Sequence, residues 1–252
     1  MLPSRGVRKG GRAVGQTRES TGNGPRRHRQ TAVLFDIDGT LITTHGAGRR
    51  AFAVCLKKVF DIEDELLDMQ FAGGTDRGLL ARILERHGRA SSPADERLFF
   101  RCLPGVLKDL LARKPADPLP GVRRLLSSLA EDPRFVIGLL TGNIPACAHL
   151  KLHSAGLERY FEFGGFGERH ADRARIARTA MREMMLRCGG VLPPVIWVVG
   201  DTIFDVEAAK AISAFTLGVA AGRFSVRDLL DAGATAAVES LEHVRPDFFL
   251  GS

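Results

Sequence analysis

Apolar residues fall along this chain in two rhythms. Continuous β-favouring runs at Val33-Leu34-Phe35, 135–140, 195–199 and 215–220 predict strands buried on both faces, since nothing in them alternates with polar residues. Between and after them, apolar positions recur at helical spacing over 121–129, 148–155, from Glu168–Arg175 to about Leu186, 206–212 and 225–230, and a last strand is predicted around 234–238. Strands alternating with helices in this way make a parallel sheet, because right-handed crossovers return each strand in the same direction. The expected fold is therefore α/β, a Rossmann-like doubly wound parallel sheet.

One segment breaks this alternation. Phe52, Cys55, Leu56 and Val59 predict an amphipathic helix over 48–60. Gly73-Gly74 interrupts, Thr75 or Asp76 can cap a second helix through Leu84 closed by Gly88, and a third covers 95–113 with an interruption at Pro104-Gly105. Pro115, Pro118 and Pro120 end it. Residues 44–117 thus read as a small helical cap inserted after the first strand, dividing a core of 31–43 and 118–252, and the cap is expected to lie over the sheet edge as a lid.

Charge changes the picture at one end only. The net charge of +7 equals that of residues 1–30, where eight Lys/Arg face Glu19 alone; the other 222 residues carry 28 basic and 28 acidic groups. That Gly/Arg-rich stretch reads as a disordered basic tail, so nucleic acid is disfavoured as a partner of the folded body. It lacks the apolar core of a secretory signal, and no apolar run is long enough for a membrane span. Cys55, Cys102, Cys147 and Cys188 have no paired spacing, which fits free thiols in a reducing, cytoplasmic setting.

Chemistry gathers where the strands end. Val33–Phe35 runs into Asp36-Ile37-Asp38-Gly39-Thr40; two carboxylates two residues apart share a side if the extended backbone persists, and Gly39 lets the chain turn away. Ligands of open parallel sheets bind at that carboxyl edge. Two carboxylates there repel by roughly 4 kcal/mol at 4 Å and an effective dielectric of 20, which calls for a hard cation such as Mg²⁺. The second strand ends in Thr141-Gly142-Asn143, whose hydroxyl and N–H groups suit an anion, and the third runs into Gly200-Asp201-Thr202-Ile203-Phe204-Asp205. No phosphate-loop pattern with Gly-Lys-Ser/Thr is present.

The three strand ends, in this order, resemble the haloacid dehalogenase-like hydrolase superfamily, in particular its phosphoglycolate-phosphatase-like branch, over about residues 31–240. The resemblance implies a Mg²⁺-dependent phosphatase acting on a small phosphorylated metabolite. It makes Asp36 the nucleophile and Asp38 the acid/base, and it gives Mg²⁺ to Asp36, the Asp38 carbonyl and Asp201. Thr141, Gly142 and Asn143 would bind phosphate, and Asp205 would orient the neighbouring cation. The family's usual lysine before a helix is missing, since no lysine occurs between Lys151 and Lys210; Arg173, which opens a helix, is the favoured substitute, with Arg175 and Lys151 behind it. Asp38 argues against dehalogenation, a phosphomutase sharing the core residues stays open, and Gly73-Gly74-Thr75-Asp76 is the cap loop expected to face substrate. A binding protein without turnover is the alternative of another class.

Overall fold

The computed structural model describes residues 30–168 and 171–251; the basic tail (1–29) and His170 lie outside the described residues. β1 (Thr31–Phe35) is followed by the short β2 (Ile42–Thr43). Three helices come next, α1 (Ala47–Phe60), α2 (Asp76–Arg86) and α3 (Pro93–Arg113), and then the short β3 (Asp117–Pro118). The remainder alternates: α4 (Val122–Glu131), β4 (Phe135–Leu140), α5 (Pro145–Ser154), β5 (Gly164–Gly165), α6 (Arg173–Arg187), β6 (Val195–Gly200), α7 (Ile203–Lys210), β7 (Phe215–Val219), α8 (Val226–Asp231) and β8 (Ala236–Val238).

Six strands form one parallel sheet in the order β5-β4-β1-β6-β7-β8. β1 sits in the middle because both of its faces are apolar. All five residues are buried, and alternate side chains enter opposite cores. Val33 and Phe35 join Leu125, Leu129 and Leu152 on one face; Ala32 and Leu34 join Ala177, Ala180 and Met184 of α6 on the other. Full burial of each such large side chain contributes about 1.5–3 kcal/mol, so a polar substitution anywhere in β1 has no cheap register to escape into. The arrangement brings the carboxyl ends of β4, β1 and β6 side by side, and these are the three strands whose ends carry the polar residues.

The helical insertion leaves and re-enters through a two-stranded antiparallel neck, Ile42 opposite Pro118 and Thr43 opposite Asp117. Within it, α1 packs on α3 through the rings of Phe52 and Phe99, 5.1 Å apart and edge-on. The interruption expected at Pro104-Gly105 does not occur: α3 runs unbroken for 21 residues, started by a Ser92–Asp95 capping box. An interior proline costs a helix roughly 3 kcal/mol. Phe99, Leu103, Leu107 and Leu111 form one buried stripe along α3 that offsets this. The helix expected from Glu168 instead begins at Arg173, because the Asp172 carboxylate caps it by accepting from Ala174 N (2.8 Å). Beyond β8, a 3₁₀ turn at Pro246–Leu250 that the pattern did not suggest buries Phe249 against Trp197, whose Nε1 donates to the Phe249 carbonyl (3.1 Å). No helix among the described residues is long and apolar enough to cross a membrane.

Candidate active site

A cavity of about 340 Å³ opens between the insertion and the carboxyl ends of β1, β4 and β6. Asp36, Asp38, Thr141, Gly142, Asn143, Arg173 and Asp201 all line it. Asp36 continues β1 into the site, its N–H donating to the Val199 carbonyl (2.9 Å). The backbone then turns at Gly39, where φ is +82°, and a Cβ there would fall 2.4 Å from Asp201 Oδ2. Glycine is required at that position twice over, for the left-handed backbone and for the approach of the β6 carboxylate.

Asp36 and Asp38 reach one cavity but meet different cations. Arg173 Nη2 contacts Asp36 Oδ1 (3.4 Å) and pairs closely with Asp205 Oδ1. Lys151, from α5, donates to Asp38 Oδ2 and to Asn143 Oδ1, each at 2.6 Å, and Asn143 Nδ2 donates to the same Asp38 oxygen at 2.8 Å. Arg175 points to solvent beside Asp172. Both Arg173 and Lys151 therefore stand in the site, although the sequence favoured the first and ranked the second last. Lys151 lies eleven residues beyond the end of β4, and only the helical geometry of α5 brings its amine back.

Asp205 is fully buried and divides its oxygens between Arg173 and the amide and hydroxyl of Thr202, where it also forms the capping box of α7. Thr141 Oγ1 accepts from Asn143 Nδ2 (2.8 Å), which fixes the turn after β4. Asp76 was not anticipated as a core contact. From the start of α2 its carboxylate accepts from Ile144 N (2.7 Å), and its own N–H donates to the Gly142 carbonyl (2.8 Å), tying the insertion to the turn after β4. Gly73 and Gly74 of the same loop line the cavity, and a Cβ at Gly142 would sit 2.1 Å from the Gly74 carbonyl oxygen.

The electrostatics of this floor are unbalanced. Among the described residues, Asp36, Asp38, Asp76, Asp201 and Asp205 face only Lys151 and Arg173 as paired cations. Burial pushes Asp36 up to about 7; Arg173 opposes the shift, while Asp205 and Asp38 add to it. Asp201 rises to about 8 by burial, reinforced by Asp205 and Asp36. Asp76 rises to about 6, again chiefly by burial. Burial alone would lower Arg173 and Lys151, but the carboxylates outweigh it and hold both firmly charged. One oxygen each of Asp36, Asp201 and Asp205 lies within 4.8 Å of the others, all hard donors. A small divalent cation fits between Asp36 and Asp201, since it restores the ionised carboxylates that burial disfavours, whereas the oxygens of Asp205 are already engaged by Arg173 and Thr202.

Carboxylates thus gather at the strand ends of a doubly wound sheet, with an arginine and a lysine interleaved. The family model for haloacid dehalogenase-like hydrolases matches residues 30–213, and the chain belongs to that family. Membership makes it a hydrolase. No curated protein matches the sequence. Among solved structures, CbbY from Rhodobacter sphaeroides in complex with phosphate is 23% identical, covering 84% of this chain and 95% of that one at a TM-score of 0.65. A predicted phosphatase from Clostridium acetobutylicum is also 23% identical, covering 88% and 100%, at 0.66. A Thermotoga maritima protein assigned as a beta-phosphoglucomutase is 26% identical, covering 84% and 95%, at 0.57.

Proposed function

We propose that the protein is a Mg²⁺-dependent phosphatase that hydrolyses a small phosphorylated metabolite through an aspartyl-phosphate on Asp36. The observation that carries this reading is the convergence of Asp36, Asp38, Lys151 and Arg173 on one cavity whose carboxylates outnumber their cations. Asp36 attacks phosphorus and takes the phosphoryl group, dividing hydrolysis into two easier displacements. Asp38 gives its proton to the leaving alcohol and later takes one from the water that cleaves the intermediate, a role typically worth about 10²–10⁴-fold. Asn143 and Lys151 hold its carboxylate to one side by donating to a single oxygen, leaving the other oxygen for the proton.

Asp36, the Asp38 backbone carbonyl and Asp201 would hold Mg²⁺, with Asp205 orienting Arg173 beside them. Bound there, the ion neutralises the carboxylates and stabilises charge on the transferring group. The Arg173 Nε is buried without a hydrogen-bond partner, a donor suited to a phosphoryl oxygen. The Thr141 hydroxyl and the Gly142 amide supply further donors at the end of β4, where the Asn143 amide donates to Thr141 Oγ1 (3.3 Å) and holds the turn. The helical insertion lies over the reacting centre, and a cavity near the low end of ligand-site volumes, roughly 300–1,000 Å³, favours a compact substrate.

The test is phosphate release from an aryl phosphate across a Mg²⁺ titration, in wild type and Asp38→Asn. Saturable Mg²⁺ dependence with a loss of at least about 100-fold in the variant is expected. Equal turnover in EDTA, or a fully active Asp38→Asn, would overturn the assignment.

A further inference from the structure

Among the described residues, two buried side-chain polar atoms lack a hydrogen-bond partner: Arg173 Nε and Arg49 Nε. Both arginines line the same cavity. The first stands beside Asp36, where the transferring phosphoryl group belongs. The second comes from another part of the fold, the first turn of α1 in the helical insertion.

Arg49 is held in place without being neutralised. Its Nη2 donates to the Met69 carbonyl (3.2 Å), and its guanidinium carbon lies 5.3 Å from the centre of the Phe71 ring. These contacts fix the orientation of the fork but bring no negative charge. Lys151 and Arg173 each have a carboxylate within ion-pair distance; Arg49 has none among the described residues. A partly buried guanidinium held by a neutral carbonyl and an aromatic face, with no carboxylate in ion-pair range, is pre-organised for an oxyanion, since its planar donors match carboxylate and phosphate oxygens. Leaving such a donor unmade is costly, and a ligand that supplies the acceptor recovers that cost.

The walls around it agree. Phe52, Phe71 and Leu79 line the same cavity, so apolar surface is available to the part of a ligand between its charged ends. On the other side of the path, Lys151 Nζ would lie 3.7 Å from a Cβ at Gly48, the residue before Arg49, so the first turn of α1 stands directly over the reacting centre.

Resting on the phosphatase reading above, we infer that Arg49 is a specificity residue that receives a second anionic group, carboxylate or phosphate, carried on the leaving alcohol of the substrate. The substrate class is thus a short doubly anionic phosphomonoester with few polar groups between its two charged ends.

The experiment compares kcat/KM for matched alkyl monophosphates whose far end is a carboxylate, a second phosphate or a neutral hydroxyl, across two to five carbons. Aryl phosphate serves as a common reference. Wild type is expected to prefer an anionic end at least tenfold over the hydroxyl at one chain length, and the carboxylate and phosphate arms show which anion fits. In Arg49→Met the ratio of anionic to neutral substrate falls at least fivefold; reading a ratio cancels any general loss of activity. Arg49→Lys, which keeps charge but loses the fork, falls between the two and carries the test if Arg49→Met does not fold. Efficient hydrolysis with no preference in wild type, or a preference that survives both substitutions, overturns the second-anion site and leaves the phosphatase intact. Silence toward every ester, aryl phosphate included, overturns the phosphatase reading and this inference with it.

Discussion

Replacing Lys151 with methionine removes the cation that meets Asp38 while keeping most of the buried aliphatic stem. Two contacts are lost, each at 2.6 Å: one to the Asp38 carboxylate and one to Asn143 Oδ1. Breaking a buried ion pair from one side typically costs about 3–5 kcal/mol. Asp38 keeps 41% of its side chain exposed and so rehydrates in part, which moves the expected loss to roughly 2–3 kcal/mol. For a domain of this size, each kcal/mol lowers the unfolding midpoint by about 2–4 °C, giving a drop of about 4–12 °C. Turnover should fall further than stability explains, by about 100-fold at a temperature where both proteins are folded, because Asp38 loses the partner that aims it. Thermal unfolding and aryl phosphate hydrolysis would be read together, with Lys108→Met on the exposed side of α3 as the control. A midpoint within about one degree of wild type, together with turnover within about threefold, would refute the role assigned to Lys151.

Two further outcomes follow from the same geometry. Asp36 and Asp201 are raised to about 7 and about 8 in the metal-free protein, so the folded state holds protons that the unfolded chain has already released. Their contribution to stability is therefore present at low pH and lost as pH rises through 7 to 8, at about 1.4 kcal/mol for each tenfold difference in proton affinity between the folded and unfolded chain. The unfolding midpoint in EDTA should fall between pH 5.5 and 8.5, and Mg²⁺ should stabilise more at the upper end, where it meets ionised carboxylates; a flat profile, or Mg²⁺ protection that weakens with pH, would contradict the fit of the site to a cation. Gly142→Ala puts a methyl 2.1 Å from the Gly74 carbonyl oxygen, so it should cost about 1–3 kcal/mol and raise KM by loosening the loop that holds Asp76 against the turn after β4; calorimetry and steady-state kinetics check both.

What could be read from the sequence follows from how locally each feature is determined. β1, β4 and β6 were legible because a strand buried on both faces must be apolar throughout, and the polar residues that end each run mark the sheet edge without reference to anything distant. Asp36, Asp38 and Asp201 followed from those ends, and Arg173 from the helix start at Asp172. Lys151 and Asp76 were harder. Each reaches the site from a helix, and its approach depends on helix phase and on how the insertion docks, neither of which one sequence fixes. Arg49 gave no signal apart from its neighbours in a polar first turn, since its lack of a counter-ion exists only once Met69 and Phe71 surround it. The unbroken course of α3 through Pro104 was hidden for a related reason: the penalty of a proline is local, whereas the Phe99–Leu111 stripe that offsets it is tertiary.

The central claim is that Asp36 itself carries the phosphoryl group. The most direct measurement is a rapid acid quench of enzyme mixed with Mg²⁺ and an excess of aryl phosphate, followed by peptide mass mapping, in wild type, Asp36→Asn and Asp38→Asn. The account predicts one phosphoryl adduct on the peptide containing residue 36 in wild type, its absence in Asp36→Asn, and a changed steady-state level in Asp38→Asn, where both formation and hydrolysis lose their proton carrier. Steady phosphate release with no adduct at residue 36, or an adduct that persists in Asp36→Asn, would contradict it.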